Sequence, residues 1–518
     1  MLKNYSIFIL GLIATSIILV QSCGQPTNNN STQTTINKDS LGKGKVLFNT
    51  YCNSCHIAPN PGRLPKHVWE NILPYMAAKM GLKLENFKND STPEEKAIEE
   101  ENNLVPKQPL ITLTEYKLIK DFILNNAPNS LSFARNRLTR NKILTQFKRL
   151  NVTINNTPPS LITSLKFNSS TKTLLVGGMD NQVTYWKRDK GVINKEFVSS
   201  TVSDFTFYNG RTFFTQIGEL FPSELSKGIF TMSGTKNIPI LKSLHRPVCS
   251  LMEDLDKDGI PEIVVGNFGK NLGSLSFFSK KRNNSKYKEF RLLSVPGAVR
   301  CFFEDMDKDG LKDIVALFSQ GDESVYVFFQ KKNFVFEAKR LLRFPPDYGT
   351  TDMILVDYNK DGLIDIVTAN GDNADYSTVL KDYHGIRIHT NQGNNNFKQT
   401  FFYPIYGATK VLAEDFDKDG DIDFAINSFF PDYDQLLQES FVYLENEISN
   451  QYKFTSSIVK EGLPIKSLTM VKGDIDNDGD VDIVLGNFAI SPIQIPEYLD
   501  KAWKQAKYGL IILENNLK

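Results

Sequence analysis

Two kinds of short constellation in this chain could do chemistry. The first is Cys52-Asn53-Ser54-Cys55-His56, two thiols three positions apart followed by an imidazole. The second is an acidic nonapeptide, Asp254-Leu255-Asp256-Lys257-Asp258-Gly259-Ile260-Pro261-Glu262, which recurs with starts at Asp305, Asp357, Asp415 and Asp474. C-x-x-C-H spacing lets both thiols form thioethers to one porphyrin while the imidazole lies under its iron. Cys52 and Cys55 are therefore assigned to covalent haem attachment and His56 to the proximal iron ligand. A thioredoxin-like redox pair would need a surrounding β-α-β pattern, and a zinc site a second ligand pair; neither accompanies the motif.

In the acidic loops, carboxylates at alternate positions turn toward one centre, glycine relieves the bend, and the ninth residue can add a bidentate acid. That donor set suits calcium. The expected ligands are Asp254, Asp256, Asp258 and Glu262; Asp305, Asp307, Asp309 and Asp313; Asp357, Asn359, Asp361 and Asp365; Asp415, Asp417, Asp419 and Asp423; and Asp474, Asp476, Asp478 and Asp482. The ninth residue leads into a strand, as in Ile263-Val264-Val265-Gly266, rather than into the helix of an EF-hand. Structural cations, up to five, are expected rather than a calcium switch. Glu262 and Asn359 depart from the strict pattern and predict weaker sites. A metal-free Asp/Gly turn is the alternative, and five repetitions argue against it.

The elements that must position these groups can be read from the rest of the chain. At 518 residues, with 41% hydrophobic and 23% charged residues, it has the composition of a folded, largely soluble protein. Lys plus Arg at 60 against Asp plus Glu at 59 leaves a charge of +1, which excludes the broad positive field of a nucleic-acid binder. From Leu161 onward, short Val, Ile, Phe and Tyr runs broken by Gly, Asn and Asp predict an all-β fold. The acidic loops recur at intervals of 51, 52, 58 and 59 residues, near the period of four-stranded propeller blades. Third strands are expected at Ser274–Phe278, Val325–Phe329, Gly385–His389, Phe441–Leu444 and Gly509–Leu513. Two degenerate blades without acidic loops, at 160–245, bring the total to seven. The chain ends without a last fourth strand, so Lys142–Ile154 is expected to supply it and close the ring.

Further resemblances add to this reading. Lys3 and the 14-residue apolar run Ile7–Val20 suit a secretory leader, and Val20-Gln21-Ser22-Cys23 resembles a bacterial lipobox. That resemblance implies removal of residues 1–22, lipidation of Cys23, a solvated tether over 23–40, and residence in the bacterial cell envelope, periplasmic or surface-facing. Gly44-Lys45-Val46-Leu47-Phe48 and Leu113-Thr114-Glu115-Tyr116-Lys117-Leu118-Ile119 resemble the terminal helices of bacterial cytochrome c domains, which implies a small all-α domain over 41–128. Met80-Gly81 resembles the distal-ligand segment of small bacterial cytochromes, so Met80 is taken as the sixth ligand, with Met76 and His67 as alternatives. His/Met ligation leaves no open iron position and favours electron transfer. The acidic loops resemble FG-GAP or VCBS repeats of integrin α-subunit heads and bacterial exported proteins, covering residues 142–518.

In an up-and-down blade the loops joining strands one and two share a rim with one another, and the acidic loops lie there. The opposite rim carries the long inserts 371–384, 428–440 and 488–508 and is the expected binding surface. Its candidate residues are Arg246, Arg300, Asp352 and Lys410 near the channel mouth, with Asn370, Asp372, Tyr383, His384, Asp432 and Tyr433 from the inserts; solvated rim positions are the alternative for each. Cys249 and Cys301 stand five and four residues before their acidic loops, so strand alternation assigns them to opposite faces and argues against a disulfide. No G-x-S-x-G, H-E-x-x-H or G-x-x-x-x-G-K pattern occurs. The expected function is electron transfer by a membrane-anchored haem protein with a redox protein partner, whose propeller binds a protein or polysaccharide ligand. An oxidoreductase acting on a sugar- or alcohol-like substrate, and an adhesion scaffold, are the alternatives.

Overall fold

The computed structural model describes residues 38–85, 87, 91–131, 142–155, 158–234, 238–373, 379–448, 451–460 and 462–517. The leader, Cys23 and most of the tether lie outside the described residues. Among the described residues no helix is long and apolar enough to cross a membrane.

Four helices come first: α1 (Lys38–Tyr51), α2 (Lys66–Lys79), α3 (Pro93–Glu101) and α4 (Leu113–Asn126). Their boundaries are written in local chemistry. Thr92 and Thr112 each accept the N–H of the glutamate three residues on, Glu95 or Glu115, whose carboxylate accepts the threonine N–H in return. Gly44 lets α1 cross α4 closely, since a Cβ there would stand 2.4 Å from Leu118 O and 2.8 Å from Phe122 Cβ. Phe48 then meets Phe122 with ring centroids 5.4 Å apart. Trp69, Leu73, Ala77, Ile119 and Ile123 complete the buried core between the helices.

A seven-bladed β-propeller follows. Each blade is an antiparallel sheet of four strands: blade 1 Ile162–Phe197, blade 2 Val202–Leu244, blade 3 Pro247–Leu293, blade 4 Ala298–Arg343, blade 5 Thr350–Pro404, blade 6 Ala408–Ile458 and blade 7 from Ser467 to Asn515. Phe147–Val152 pairs antiparallel with Leu510–Asn515 as the outermost strand of blade 7, so the segment assigned to ring closure does close it. Lys142–Ile143 continues the clasp by pairing in parallel with the outer strand Lys453–Ile458 of blade 6.

The core lies between blades rather than within them. Each of the seven junctions carries one apolar cluster, and alternate residues of a strand serve different neighbours. In blade 3, Val264 packs toward blade 4, whereas Ile263 and Val265 pack toward blade 2. Both faces of the inner strands are therefore buried, which is why they read as unbroken apolar runs. Burying such a side chain stabilises by roughly 1.5–3 kcal/mol. The outer strand Lys288–Leu293 is largely exposed and charged, which discourages pairing at the blade edge.

Candidate functional site

Cys52 follows α1 directly, with its N–H donating to Phe48 O (2.9 Å), and is half-buried against the helical core; Cys55 is exposed. Burial, and then neighbouring Cys55, push the Cys52 thiol up to about 11. That shift runs opposite to the one a dithiol nucleophile uses. His56 Nδ1 lies 2.9 Å from the Ile57 carbonyl oxygen. That oxygen only accepts, so the ring proton belongs on Nδ1 and the Nε2 lone pair is left for a metal, the second-shell arrangement typical of a ligating imidazole. Met80 caps the C-terminus of α2 and packs against the same core as Cys52, whereas Met76 is absent from that contact and His67 is exposed on the first turn of α2. Gly81, at φ +84°, turns the chain beneath Pro106 and Pro109. Cys52 and Met80 thus pack on one core, with His56 half-buried and Cys55 exposed beside them, donor types that a covalently held haem would use.

The acidic loops share one geometry. Gly259, Gly310, Gly362, Gly420 and Gly479 and the residue two before each have positive φ, which folds the loop around its first carboxylate. Asp254 Oδ2 accepts the Gly259 N–H, and Asp305, Asp357 and Asp415 repeat the contact at 2.9–3.1 Å. The ninth residues, Glu262, Asp313, Asp365, Asp423 and Asp482, each open the second strand of a blade and are buried. Burial, with the crowding of neighbouring acids, pushes them up to about 7, 6, 6, 7 and 7 respectively. Oδ1 of Asp415 and of Asp474 is buried and accepts no hydrogen bond among the described residues. Self-repelling carboxylates with orphaned oxygens fit a divalent cation.

The loops are not equivalent. Carboxylate oxygens converge within 4.8 Å at Asp254, Asp256 and Glu262, at Asp305, Asp307 and Asp313, and at Asp474, Asp476 and Asp482. In the loop at Asp415 the converging set is Asp415, Asp417 and Asp419 instead. Its ninth residue, Asp423, is engaged by the Tyr443 hydroxyl, which donates to Oδ2 at 2.6 Å. In the loop at Asp357, Asn359 Nδ2 donates to Asp361 Oδ2 (2.9 Å), so the middle position fills part of the site with a donor.

The opposite rim differs from the open binding surface expected of it, because the helical unit sits on it. Arg63 sets its guanidinium against the stacked pair Tyr348 and Tyr383, 5.2 and 5.4 Å from ring centroids that are themselves 5.8 Å apart, with Nη1 3.5 Å from the buried carboxylate of Asp347. The Tyr383 hydroxyl donates to Arg63 O at 3.4 Å. Arg387 stacks on Tyr348 at 4.1 Å. A second contact joins α3 to blades 2 and 3: Glu95 accepts the Glu224 N–H (3.1 Å) and lies 3.6 Å from Lys270. Burial raises the Glu95 pKa, but hydrogen bonds from Thr92 and Glu224, with Lys270, outweigh it and hold the carboxyl at about 2.

Most rim candidates are correspondingly inside. Arg246, Asp352, Asn370, His384 and Tyr433 are buried, and Arg300, Asp372, Tyr383, Lys410 and Asp432 are half-buried. Arg246 donates to the carbonyls of Glu219 and Leu220, Asn370 accepts from Arg387 (2.9 Å), and Tyr433 accepts from Lys466 (2.6 Å). Asp372 donates its N–H to Gly349 O, His384 Nε2 is 3.4 Å from Asp347 O, and Asp432 accepts the N–H groups of Asp434 and Gln435. Arg246 and Tyr433 find these partners across a blade junction, whereas Asn370, Asp372, His384 and Asp432 find theirs within their own blade or at its entry.

Three candidates are brought together in the channel. Arg300 Nε pairs with Asp352 Oδ1, and Lys410 Nζ is 3.6 Å from the same oxygen. Burial, with Arg300 nearby, lowers Lys410 to about 8. A β-bulge precedes the third residue of every inner strand, and four of these residues bind the next blade: Ser164 donates to Val202 O, Asp204 accepts the Ser250 N–H, Arg300 pairs with Asp352, and Asp352 accepts the Val411 N–H. Arg63, Asp347, Tyr348, Glu95 and Asp204 were not singled out in the sequence, because their partners come from remote segments.

Comparison with known proteins agrees with the acidic loops. Residues 305–368 match the FG-GAP-like repeat. This FG-GAP-like stretch runs from the loop of blade 4 into the second strand of blade 5. No curated protein matches the chain. Similar solved structures include the Neurospora crassa Pan2 WD40 domain, at 11% identity and TM-score 0.45, covering 73% of this chain and 98% of that one. Another is Saccharomyces cerevisiae Sqt1, at 9% identity and TM-score 0.43, covering 71% and 99%. The RRP9 WD40 repeats are a third, at 10% identity and TM-score 0.42, covering 72% and 99%.

Proposed function

We propose that this is an exported, lipid-anchored c-type haem protein of the bacterial cell envelope that transfers electrons, with its helical unit presented by a calcium-stabilised propeller. The observation that carries the reading is the C-x-x-C-H segment with His56 Nδ1 on a carbonyl and Met80 on the same core as Cys52. Cys52 and Cys55 would hold the porphyrin, and His56 and Met80 its iron. When bound, such a group supplies one-electron transfer. The chain's own residues bury one edge of that site, fix the imidazole tautomer, and dock the unit through Arg63 and Glu95. The acidic loops would hold calcium at the far rim, where it stiffens blade ends rather than touching the redox site. Anchoring through Cys23 would keep the protein beside a redox protein partner, and a protein or polysaccharide could be held on exposed propeller surface.

One observation favours a second reading, an oxidoreductase that binds a sugar- or alcohol-like substrate. Lys381 is buried under the helical unit's side of blade 5, lowered by burial to about 8, with Asp372 and Asp347 as its charged neighbours. Such a group could hold or release a proton near neutral pH. The two readings separate when purified haem-loaded protein is mixed with candidate redox proteins and small alcohols or sugars while the Soret and α bands are followed. Reduction only by redox proteins supports the relay, and substrate-dependent reduction supports the enzyme. Protein from an exporting host with no Soret band and no porphyrin mass would overturn both. Loss of the methionine-to-iron charge-transfer band in Met80→Leu, with its retention in Met76→Leu, tests the distal ligand.

A further inference from the structure

The sequence assigns Cys249 and Cys301 to opposite faces of their strands, and within a single sheet that separates them. These two belong to neighbouring blades. Blades stack face to back around the ring, so opposite faces of adjacent sheets share one junction. Cys249 lies on the inner strand Pro247–Glu253 of blade 3, Cys301 on the inner strand Ala298–Glu304 of blade 4, and both belong to the single apolar cluster between those blades. Both residues are buried free thiols, and Cys301 Sγ donates to Cys249 Sγ at 3.2 Å.

Cys249 occupies the third position of its inner strand, after the bulge. At that position Ser164, Asp204, Arg300 and Asp352 each bind the following blade. The thiol thus takes a place that elsewhere carries a directed link across the junction. Room for it is provided by Gly266, its cross-strand neighbour, where a Cβ would stand 2.4 Å from Cys249 Sγ.

We infer that Cys249 and Cys301 form a disulfide that covalently joins blades 3 and 4. A disulfide bond of about 2.05 Å requires the sulfurs to close by only roughly 1 Å. Contact with Cys249, together with burial, holds the Cys301 thiol protonated in the closed ring, so the exchange belongs to folding, before the junction seals. The oxidant is a disulfide, small-molecule or protein. One cysteine thiolate attacks it to give a mixed disulfide and release the first thiol. The second cysteine displaces the other, so two cysteine protons and two electrons pass to the oxidant as it is split into two thiols. The inference goes beyond the proposed function and needs only an oxidising compartment or buffer.

The test refolds the full chain from denaturant and reductant into a buffer of oxidised and reduced glutathione, then alkylates with N-ethylmaleimide in denaturant and maps the peptides. The expected result is a Cys249–Cys301 linked pair, lighter by two hydrogen atoms than the separate peptides, that takes up label only after reduction. Reductant should lower the melting midpoint of the wild type to that of a Cys249→Ala/Cys301→Ala double variant and leave the variant unmoved. Protein secreted by an exporting host is a second sample that needs no refolding. Both peptides fully labelled before reduction in that folded sample would overturn the inference, as would a link to another cysteine. The state of the Cys52–Cys55 peptide is read in the same map, so failure of the haem reading is scored separately.

Discussion

The two rims of the propeller are built on opposite principles. On one, five similar loops turn carboxylates toward one another, and burial with that crowding raises the pKa of every ninth acid. On the other, the loops differ in length and sequence, and several of their charged groups pair with one another or with the helical unit. The first rim is periodic and crowded with acids; the second is irregular and partly covered by the helical unit. A repeated fold can therefore keep its structural chemistry on the rim where the repeat is strict and place specific contacts where the repeat has decayed.

The largest expected effect separates the helical unit from the ring. Cys52→Ala/Cys55→Ala should abolish covalent porphyrin, read by intact mass and Soret absorbance, while the propeller melting transition persists; porphyrin still attached would break the division of labour. Next is calcium. Each occupied loop should add about 2.7 kcal/mol at a hundredfold excess over its Kd, measured by calorimetry with calcium and with chelator. Without the ion, the ninth carboxyls titrate near 6–7 folded and near 4 unfolded. The folded state binds more protons between those values, so chelated protein should lose stability as pH rises from about 4 to 7 and stay low above it. Calcium should therefore raise the midpoint more at pH 8 than at pH 5, and an equal gain at both would show that these acids do not face the ion.

Smaller effects sharpen the other rim. Gly44→Ala should destabilise the helical unit by about 1–3 kcal/mol through overpacking against backbone, seen as earlier loss of ellipticity at 222 nm with the propeller unaffected. Arg63→Ala should cost about 1–2 kcal/mol of docking, since it removes two ring contacts and the ion-pair partner of a buried Asp347. Scanning calorimetry would then resolve the helical transition below the propeller transition. A single coincident transition in the variant would show that Glu95 and Lys270 hold the unit alone.

What could be read in advance follows from range. The acidic loops, their glycine bends and the strands behind them are complete within about a dozen residues, and the closing strand was legible because the last blade lacked one. The same local rules gave no sign that the Cys249 and Cys301 sulfurs stand 3.2 Å apart, since face alternation describes one sheet and the contact lies between two. They also missed the engagement of Asp423 by Tyr443, twenty residues away on the next strand. Arg300, Asp352 and Lys410 were legible as channel residues, but not as a bonded trio.

By itself the sequence determined the thiol pair and its histidine, the five acidic loops and the count of blades, because each is a matter of spacing along the chain. Only the tertiary structure decided that Arg63 meets Tyr383 across 320 residues, that Glu95 meets Glu224 across 129, and that the presumed binding rim is partly occupied by the molecule's own helices. Such contacts depend on how rigid blades are rotated around the ring and on which side chains that rotation brings together, and no local periodicity records either.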